Sequence, residues 1–552
     1  MNKFLEADVM IIGAGPVGLT LAMDLAQRGV QVVIAETRHR GEPPAVKCNH
    51  VSARTMEIWR RLGVAAAMRQ TGLPADYPND VAYRTRFVGE ELSRIPIPAR
   101  QDRYTATGGP DTWWPTPEPP HRINQIFLEP VLFEYAAAMP NISILSRTQI
   151  NDFTQDEQGV TAQGVHLDTG EVVSIRSQYL IGCDGGKSGV RKKIGAKLSG
   201  TDVVGRVQST YFRAPALYAL QKHKPAWATF SINAKRSGNV YAIDGKETWL
   251  LHNYLREDES EFDSVNRDWA IREILGVGPD FQYEVISKED WVGRRLVADK
   301  FREGRVYICG DAAHLWFPMA GYGMNAGIAD AMNLSWQLAA HLKGWGGTGL
   351  LDGYQIERQP ITMQVSNFAM NHAYALQAKR EKVPADIEDD TAQGAASRQR
   401  VGQELYDLNV KQYCCGGLNF GYFYDQSPMI AYDGTPHPTY TMDQFTSSTV
   451  PGCRTPHLWL AGHRSLYDAL GPWFTLLRLD SSIDTRALEL AAATRNVPLV
   501  VLDVPSDLAG EAYTHKLVLS RPDQHVAWRG NATPTDALAL VDQVRGAERT
   551  LG

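Results

Sequence analysis

Val9 to Ile12 is an unbroken apolar run, and the strand read over 31–35 carries a second, Val32 to Ala35, the pattern of short strands covered on both faces. Between them Leu19, Ala22, Met23 and Ala26 recur at helical spacing and predict a helix over 19–28. The same reading gives helices over 51–62 and 124–138. It also gives a hairpin-like run of strands over 142–145, 160–167 and 172–177, then a buried strand over 179–183. From about 203 to 292 the period changes to two. Strands over 208–212, 229–233, 239–244 and 248–254 predict a mostly antiparallel sheet inserted between the halves of an α/β unit. The second half resumes with a buried strand over 305–309 and a helix carried by Ile328, Ala331, Leu334, Leu338 and Leu342. A loop-rich stretch runs from about 74 to 120, and its Trp113-Trp114 pair is assigned to packing of that loop. Beyond about 400 a separate unit reads strand 474–479, helix 485–494, strand 498–504, a hairpin over 515–520 and 524–529, and helix 534–544.

Gly13, Gly15 and Gly18 fall in the turn between the first strand and the first helix. There they allow a tight bend, let the backbone approach a pyrophosphate, and aim the helix N-terminus at its charge. Glu36 ends the second strand, about 20 residues on, where a carboxylate can accept hydrogen bonds from a ribose. Two further glycine-marked segments follow, Asp184-Gly185-Gly186-Lys187-Ser188-Gly189-Val190-Arg191 and Gly310-Asp311-Ala312-Ala313-His314. The order of the three suggests distant parts of the chain closing on one dinucleotide.

Bulk properties remove several classes. The 552 residues allow two or three domains with substantial cores. A net charge of -6 supplies no basic field for nucleic acid or an anionic membrane. No uninterrupted apolar stretch approaches a membrane span, and the N-terminus enters the first strand with no cleavage signal. The six cysteines include a vicinal pair, Cys414-Cys415, and no CxxC, so a reducing cytoplasm is the expected location. No Cys/His grouping has metal-ligand spacing, so no metal site is expected, and no Gly-x-Ser-x-Gly elbow is present.

The motifs resemble those of the single-component FAD-dependent aromatic hydroxylases, the phenol and p-hydroxybenzoate hydroxylase family. They are most similar to the subgroup with a C-terminal thioredoxin-like domain. The resemblance rests on Gly310 to His314 followed by Pro318, Gly321-Tyr322-Gly323-Met324-Asn325 and Asp330-Ala331-Met332-Asn333-Leu334. Asp184-Gly185 with Ser188 and Arg191 adds to it, as do Pro451-Gly452-Cys453-Arg454 and Arg521-Pro522-Asp523 in the tail. It implies an α/β architecture. A Rossmann-like FAD-binding domain would take 1–200 and 290–395, and the inserted sheet a substrate domain over 201–289 with the loop 75–120. A thioredoxin-like domain without redox cysteines, read as a stabilising or dimer-forming module, would take 400–552. A homodimer is the expected assembly.

By the same resemblance Gly13, Gly15 and Gly18 hold the FAD pyrophosphate and Glu36 the adenosine ribose. Arg54 and Gln125 lie near the flavin phosphates and ribityl chain, Asp311 bonds the ribityl or pyrophosphate region, and Asp184 serves both FAD and the nicotinamide cofactor. Lys47 stands where many relatives carry arginine, which keeps the charge but loses the planar fork. A helix beginning near Gly323, Met324 and Asn325 points its positive end at the anionic edge of reduced flavin. Pro318 shapes the backbone beside the ring. The implied reaction is ortho hydroxylation of a small phenolic substrate through a flavin C4a-hydroperoxide, with O2 and either NADH or NADPH. Nicotinamide binds transiently, since only one full dinucleotide fingerprint is present.

For substrate activation, related enzymes place an acid or histidine five positions before the arginine equivalent to Arg54; here that position is Asn49. Asparagine can hydrogen-bond a phenol oxygen but cannot take its proton. Asn49 is therefore the expected substrate contact and the adjacent His50 the alternative base. Tyr241 and His252 are the polar candidates on the inserted sheet, and His314 is assigned a structural hydrogen bond. Two rival readings are a flavin monooxygenase of a larger polyketide or antibiotic, and a non-catalytic flavin-binding interaction protein. The signatures of flavin halogenases and Baeyer–Villiger enzymes are absent.

Overall fold

The computed structural model describes residues 3–47 and 49–547. Its first sheet is built around parallel strands. Val306–Ile308, Val172–Gly182, Lys3–Ile12, Val32–Ala35 and Ile142–Leu145 lie side by side in that order. The apolar runs foreseen at 9–12 and 32–35 are buried apart from half-buried Ile12 at the glycine turn, as parallel strands covered on both faces require. Helix Pro16–Gln27 packs its buried Leu19, Ala22, Met23 and Ala26 into the same core as helix Tyr322–Leu342, which contributes Ile328, Ala331, Leu334 and Leu338. The two segments meet at glycines. A Cβ on Gly327 would lie 3.0 Å from the Gly310 Cα, so the Gly310-Asp311 turn sits directly on the helix.

Three local expectations are corrected. Residues 172–183 form one continuous strand, Val172–Gly182, because its pairing with Lys3–Ile12 extends along both expected halves. Ile142–Leu145 pairs with Val32–Ala35 and is not part of a hairpin run. The run's third strand is instead Thr148–Gln155, which pairs with Val160–His166, and the latter forms the expected hairpin with Val172–Gly182. The first of those strands is largely polar and exposed, which hid it.

The second sheet also has eight strands, in the order His314–Trp316, Glu284–Ala298, Leu198–Arg213, Thr248–Tyr254, Gly238–Ala242, Ala228–Ser231, Val81–Arg84 and Glu91–Ile95. All its pairs are antiparallel except Ala228–Ser231 with Val81–Arg84. It is thus wider than 201–289, and the loop-rich stretch supplies two of its strands. Arg84, Arg94 and Ser93 interrupt their apolar pattern, while Arg84 is satisfied by Glu91 and by the carbonyls of Phe87 and Lys224.

Two long helices, Gly349–Glu381 and Ala392–Tyr413, cover this sheet, and Val401, Leu405 and Tyr413 join its core. Gly402 lets the second helix approach closely, since a Cβ there would lie 2.0 Å from the Leu92 carbonyl oxygen. The expected start of the last unit at 400 therefore falls inside a helix that packs on the second sheet. Later in the chain a four-stranded sheet orders Leu499–Asp503, Phe474–Arg478, Leu517–Ser520 and Val526–Gly530, with helices Arg486–Thr494 and Ala537–Val544 against it. Parallel first pair, antiparallel remainder and flanking helices make a thioredoxin-like unit.

That unit is not loosely attached. Helix Ala53–Arg61 forms the seam, with Glu57 paired to Arg454, Arg60 to Asp468 at 2.8 Å, and Arg61 donating to the Pro522 carbonyl at 3.0 Å. Deeper in, Arg521 makes two hydrogen bonds to Glu357, at 2.6 and 2.8 Å, and also pairs with Asp523 at 2.7 Å. All three side chains are excluded from solvent. Among the described residues no helix is long and apolar enough to cross a membrane.

Candidate active site

The glycine turn has the shape that a pyrophosphate needs. Gly13 has φ +107°, and a Cβ on it would lie 2.4 Å from the Cys183 carbonyl oxygen; one on Gly18 would lie 2.1 Å from the Gly13 oxygen. Gly15 differs, because a Cβ there would meet nothing within 4 Å. Its missing side chain opens onto empty space in front of helix Pro16–Gln27, where the helix presents unsatisfied N–H groups. Glu36 accepts from the Ala14 N–H at 2.8 Å and from the Arg38 N–H at 2.9 Å, tying the second strand to the turn. Burial opposes its ionisation, but hydrogen bonds from Arg38 and Ala14 outweigh that and hold the carboxyl below its usual range. Ala14, Glu36, Arg38, Glu129 and Phe133 line a small cavity at this corner. Gln125 is turned toward it, donating to Glu129 at 2.9 Å.

The other two motifs close on the first from the far side. Asp184 caps a short helix by accepting from Gly189 and Val190 N–H at 2.7 and 3.1 Å, while its buried Oδ1 has no hydrogen-bond partner. Arg191 donates to the Gly186 and Ala312 carbonyls and so braces the Asp184 segment against the Asp311 turn. Asp311 is open to the cleft, although the surrounding protein raises its carboxyl against the pull of His314 and Lys47. A capless glycine turn, an orphaned carboxylate oxygen and an open aspartate form a donor and acceptor set suited to a dinucleotide. FAD fits these residues.

Asn325 places the next group. Its Oδ1 accepts from the Ser52 N–H at 2.9 Å and its Nδ2 donates to the His50 carbonyl at 3.1 Å, clamping 50–52 onto the start of helix Tyr322–Leu342. Gly321, at φ +60°, is needed here because a Cβ would lie 2.8 Å from the His50 Cβ. Asn49, His50, Gly323 and Met324 are thereby brought to one place. Asn49 accepts from the Asn124 amide, while His50 is buried and its Nδ1 meets the Arg122 guanidinium. Burial and then Arg122 push the His50 imidazole well below its ordinary pKa, so it is neutral. Pro318 is exposed between buried Phe317 and Met319.

Tyr241 and His252 share a face of the second sheet, as their registers opposite Leu250 and Asn239 require. Their rings are 5.6 Å apart and continue into an aromatic wall. Trp227 lies 5.4 Å from Tyr241, Trp291 lies 6.0 Å from His252, and Phe317 lies 5.7 Å from Trp291 and 6.3 Å from Tyr254. Burial, then Arg380, lowers the His252 pKa from 6.5 to about 4. Its neutral form favours the fold fully above pH 6.5, and that contribution is lost as the pH falls from 6.5 toward 4. His252→Gln is expected to remove this part of the acid-side decline in Tm. Parallel Tm–pH curves for the two proteins would contradict it.

Arg54 and Lys47 are engaged with protein partners that the resemblance did not imply, whereas His314 makes a structural hydrogen bond, as expected of it. Arg54 stacks on Tyr422 at 4.5 Å and meets His525 Nε2 at 2.9 Å, turned toward the C-terminal unit, with Nη1 buried and unpartnered as the nitrogen left for a phosphate. Lys47 reaches across the cleft to Glu289 of the second sheet at 2.6 Å. His314 is locked structurally, bonding Asp330 at 2.6 Å, whose other oxygen takes Arg358 at 2.7 Å. Arg122, Trp227, Trp291 and Arg380 were missed. Arg122 precedes a predicted helix with no pattern of its own, and Arg380 sits near the end of a helix that was not foreseen. Among the described residues no group of His, Cys, Asp and Glu could hold a metal.

Comparison with known proteins agrees with this geometry. An FAD binding domain family matches residues 6–369, and an aromatic-ring hydroxylase C-terminal family matches 448–547. The chain is 30% identical to the tetracenomycin B2 monooxygenase-dioxygenase of Streptomyces olivaceus, over 98% of each chain. It is 28% identical to the phenol 2-monooxygenase of a Pseudomonas strain, over 99% of this chain and 93% of that one. The rebeccamycin biosynthetic enzyme RebC with reduced flavin superposes with a TM-score of 0.89 at 33% identity, covering 99% of this chain and 100% of that one. Three glycine-marked segments brought together by the fold and matches along nearly the whole chain place this protein in the family of FAD-dependent aromatic-ring monooxygenases.

Proposed function

We propose that the protein hydroxylates a phenolic ring of a fused-ring aromatic, ortho to its hydroxyl, with NADH or NADPH as reductant. One atom of O2 enters the ring and the other leaves as water. The observation that carries this reading is a cavity of about 420 Å³ bordered by Tyr254, Phe317 and Met319, beside Pro318. That volume falls in the range that holds drug-sized ligands and exceeds what a single phenol fills. It favours a larger aromatic over the small phenol implied by the family resemblance, in line with the tetracenomycin enzyme among the relatives.

Bound FAD supplies the redox and oxygen chemistry. The chain's residues bind, orient and exclude water. Gly13, Gly15, Gly18 and Glu36 hold the dinucleotide end, with Asp184, Asp311, Lys47, Gln125 and Arg54 around the phosphates and ribityl chain. Gly323, Met324 and Asn325 begin the helix that points at the ring. Tyr254 and Phe317, which line the cavity, orient the substrate and keep water out, with Tyr241 linked to Tyr254 through Asn239. Asn49 has its Oδ1 occupied by Asn124, which leaves its amide N–H to donate to a phenol oxygen. His50 positions this segment through Arg122, its Nδ1 lone pair already engaged.

The test is a panel of single-ring and fused-ring phenols scored by hydroxylated product. Fused-ring phenols should give product coupled to cofactor oxidation; product from single-ring phenols alone would overturn the reading. Asn49→Ala should lower product formation about tenfold, the worth of one lost hydrogen bond, with FAD content unchanged. Full activity in that variant would remove Asn49 from the site.

A further inference from the structure

We infer that this cavity contains an anion subsite built on Arg380 and Arg206, and that the aromatic substrate carries a carboxylate; the inference rests on the hydroxylase reading above. Arg380 lies near the end of helix Gly349–Glu381, with its guanidinium 4.0 Å above the Tyr254 ring. Its Nη2 donates to Asn239 Oδ1 at 2.7 Å, and its Nε is buried with no hydrogen-bond partner. Arg206 lines the same cavity. Among the described residues neither arginine has a carboxylate within ion-pair distance.

The contrast within the cavity is informative. Arg236, on the same wall, is neutralised by two hydrogen bonds to Glu259 at 2.7 and 2.8 Å. Glu381, the acid on the cavity lining, is exposed at the rim and accepts from Gln377 at 3.0 Å. Arg206 and Arg380 thus remain without an ion-pair partner, as does the exposed Arg256, which donates to backbone carbonyls at the rim; desolvating a guanidinium in a half-enclosed site is costly until an anion joins it. The planar fork of arginine matches a carboxylate's two oxygens. Asn239, held by Arg380, also donates to the Tyr254 hydroxyl at 3.0 Å, so the charged end is wired to the ring-binding wall. Tyr254 in turn stacks with Phe317 at an interplanar angle of 27°, which leads toward Pro318. A flat acid would span this axis, its carboxylate on Arg380 and its phenol ring toward the flavin motif.

The full-length, FAD-loaded protein would be titrated with hydroxynaphthoic acid, its methyl ester and naphthol, following quenching of tryptophan fluorescence. The acid should bind about tenfold more tightly than the ester, a difference of 1.4 kcal/mol by the affinity relation. That preference should shrink as salt rises. Arg380→Gln and Arg206→Gln should each reduce the acid-to-ester ratio while leaving the ester's affinity and the flavin spectrum unchanged. Arg380→Lys should restore part of the ratio. Equal binding of acid and ester by the wild type overturns the proposal, as does an Arg380→Gln variant that loses both ligands equally. An Arg380→Gln effect confined to the KM for NADPH, absent with NADH, assigns the cations to a cofactor phosphate and also overturns it. Binding is read without turnover, so selective acid binding with no hydroxylated product would fail the hydroxylase reading and leave the subsite standing.

Discussion

Glu357→Ala is expected to cost about 3–5 kcal/mol, the range seen when one partner of a buried ion pair is removed. Glu357 takes two hydrogen bonds from Arg521, at 2.6 and 2.8 Å, and further donations from Asn333 at 2.5 Å and Gln337 at 3.2 Å. Arg521 also stacks over Trp336 at 5.0 Å, with no route to solvent. Without Glu357 the guanidinium keeps only Asp523 as a charged partner, and Asn333, Gln337 and the Ser427 hydroxyl each lose an acceptor. Because the chain has several domains, a single two-state fit is not appropriate. The measurement is chemical denaturation followed in parallel by far-UV circular dichroism and flavin release. The transition involving the C-terminal unit should move to lower denaturant first. A shift below about 1 kcal/mol, the scale of an exposed pair, would show that the cluster does not hold the two parts together.

Gly15→Val should abolish FAD binding while leaving the fold in place. The new side chain meets no protein atom within 4 Å at its Cβ, so it takes the space where the pyrophosphate approaches. Gly13→Ala and Gly18→Ala should behave differently, since each places a Cβ within 2.4 Å of a backbone carbonyl oxygen and so disturbs the turn itself. The expected pattern is a colourless Gly15→Val protein with wild-type circular dichroism and a Tm near that of the apoprotein. The other two should melt earlier. A yellow Gly15→Val protein retaining stoichiometric FAD would contradict the assignment of the turn.

Much of this architecture was legible because its signals are local. A strand, a glycine turn, a helix and Glu36 occupy consecutive positions, and each follows from the steric and charge demands of a dinucleotide. Tyr241 and His252 were also legible, since alternation along two neighbouring strands puts them on one face. What stayed hidden depends on contacts between remote segments. Arg84 and Arg94 break the apolar pattern of two short strands, and only the Glu91 and Asp80 carboxylates that meet them explain why strands form there. The direction of Arg54 was set by Tyr422 and His525, hundreds of residues away. Arg380 gained its meaning from Asn239 and Tyr254 across the sheet.

Helix Ala53–Arg61 has one further implication. Its N-terminal approach is held by Asn325 next to the ring-binding cleft, and its side chains grip the thioredoxin-like unit. This nine-residue helix is thus tied down on both sides. The Lys47–Glu289 bridge to the second sheet is, by contrast, solvent-accessible at both ends and therefore cheap to open. The appended unit is thereby braced, through Glu57–Arg454 and Arg60–Asp468, onto the same helix whose start abuts the cleft.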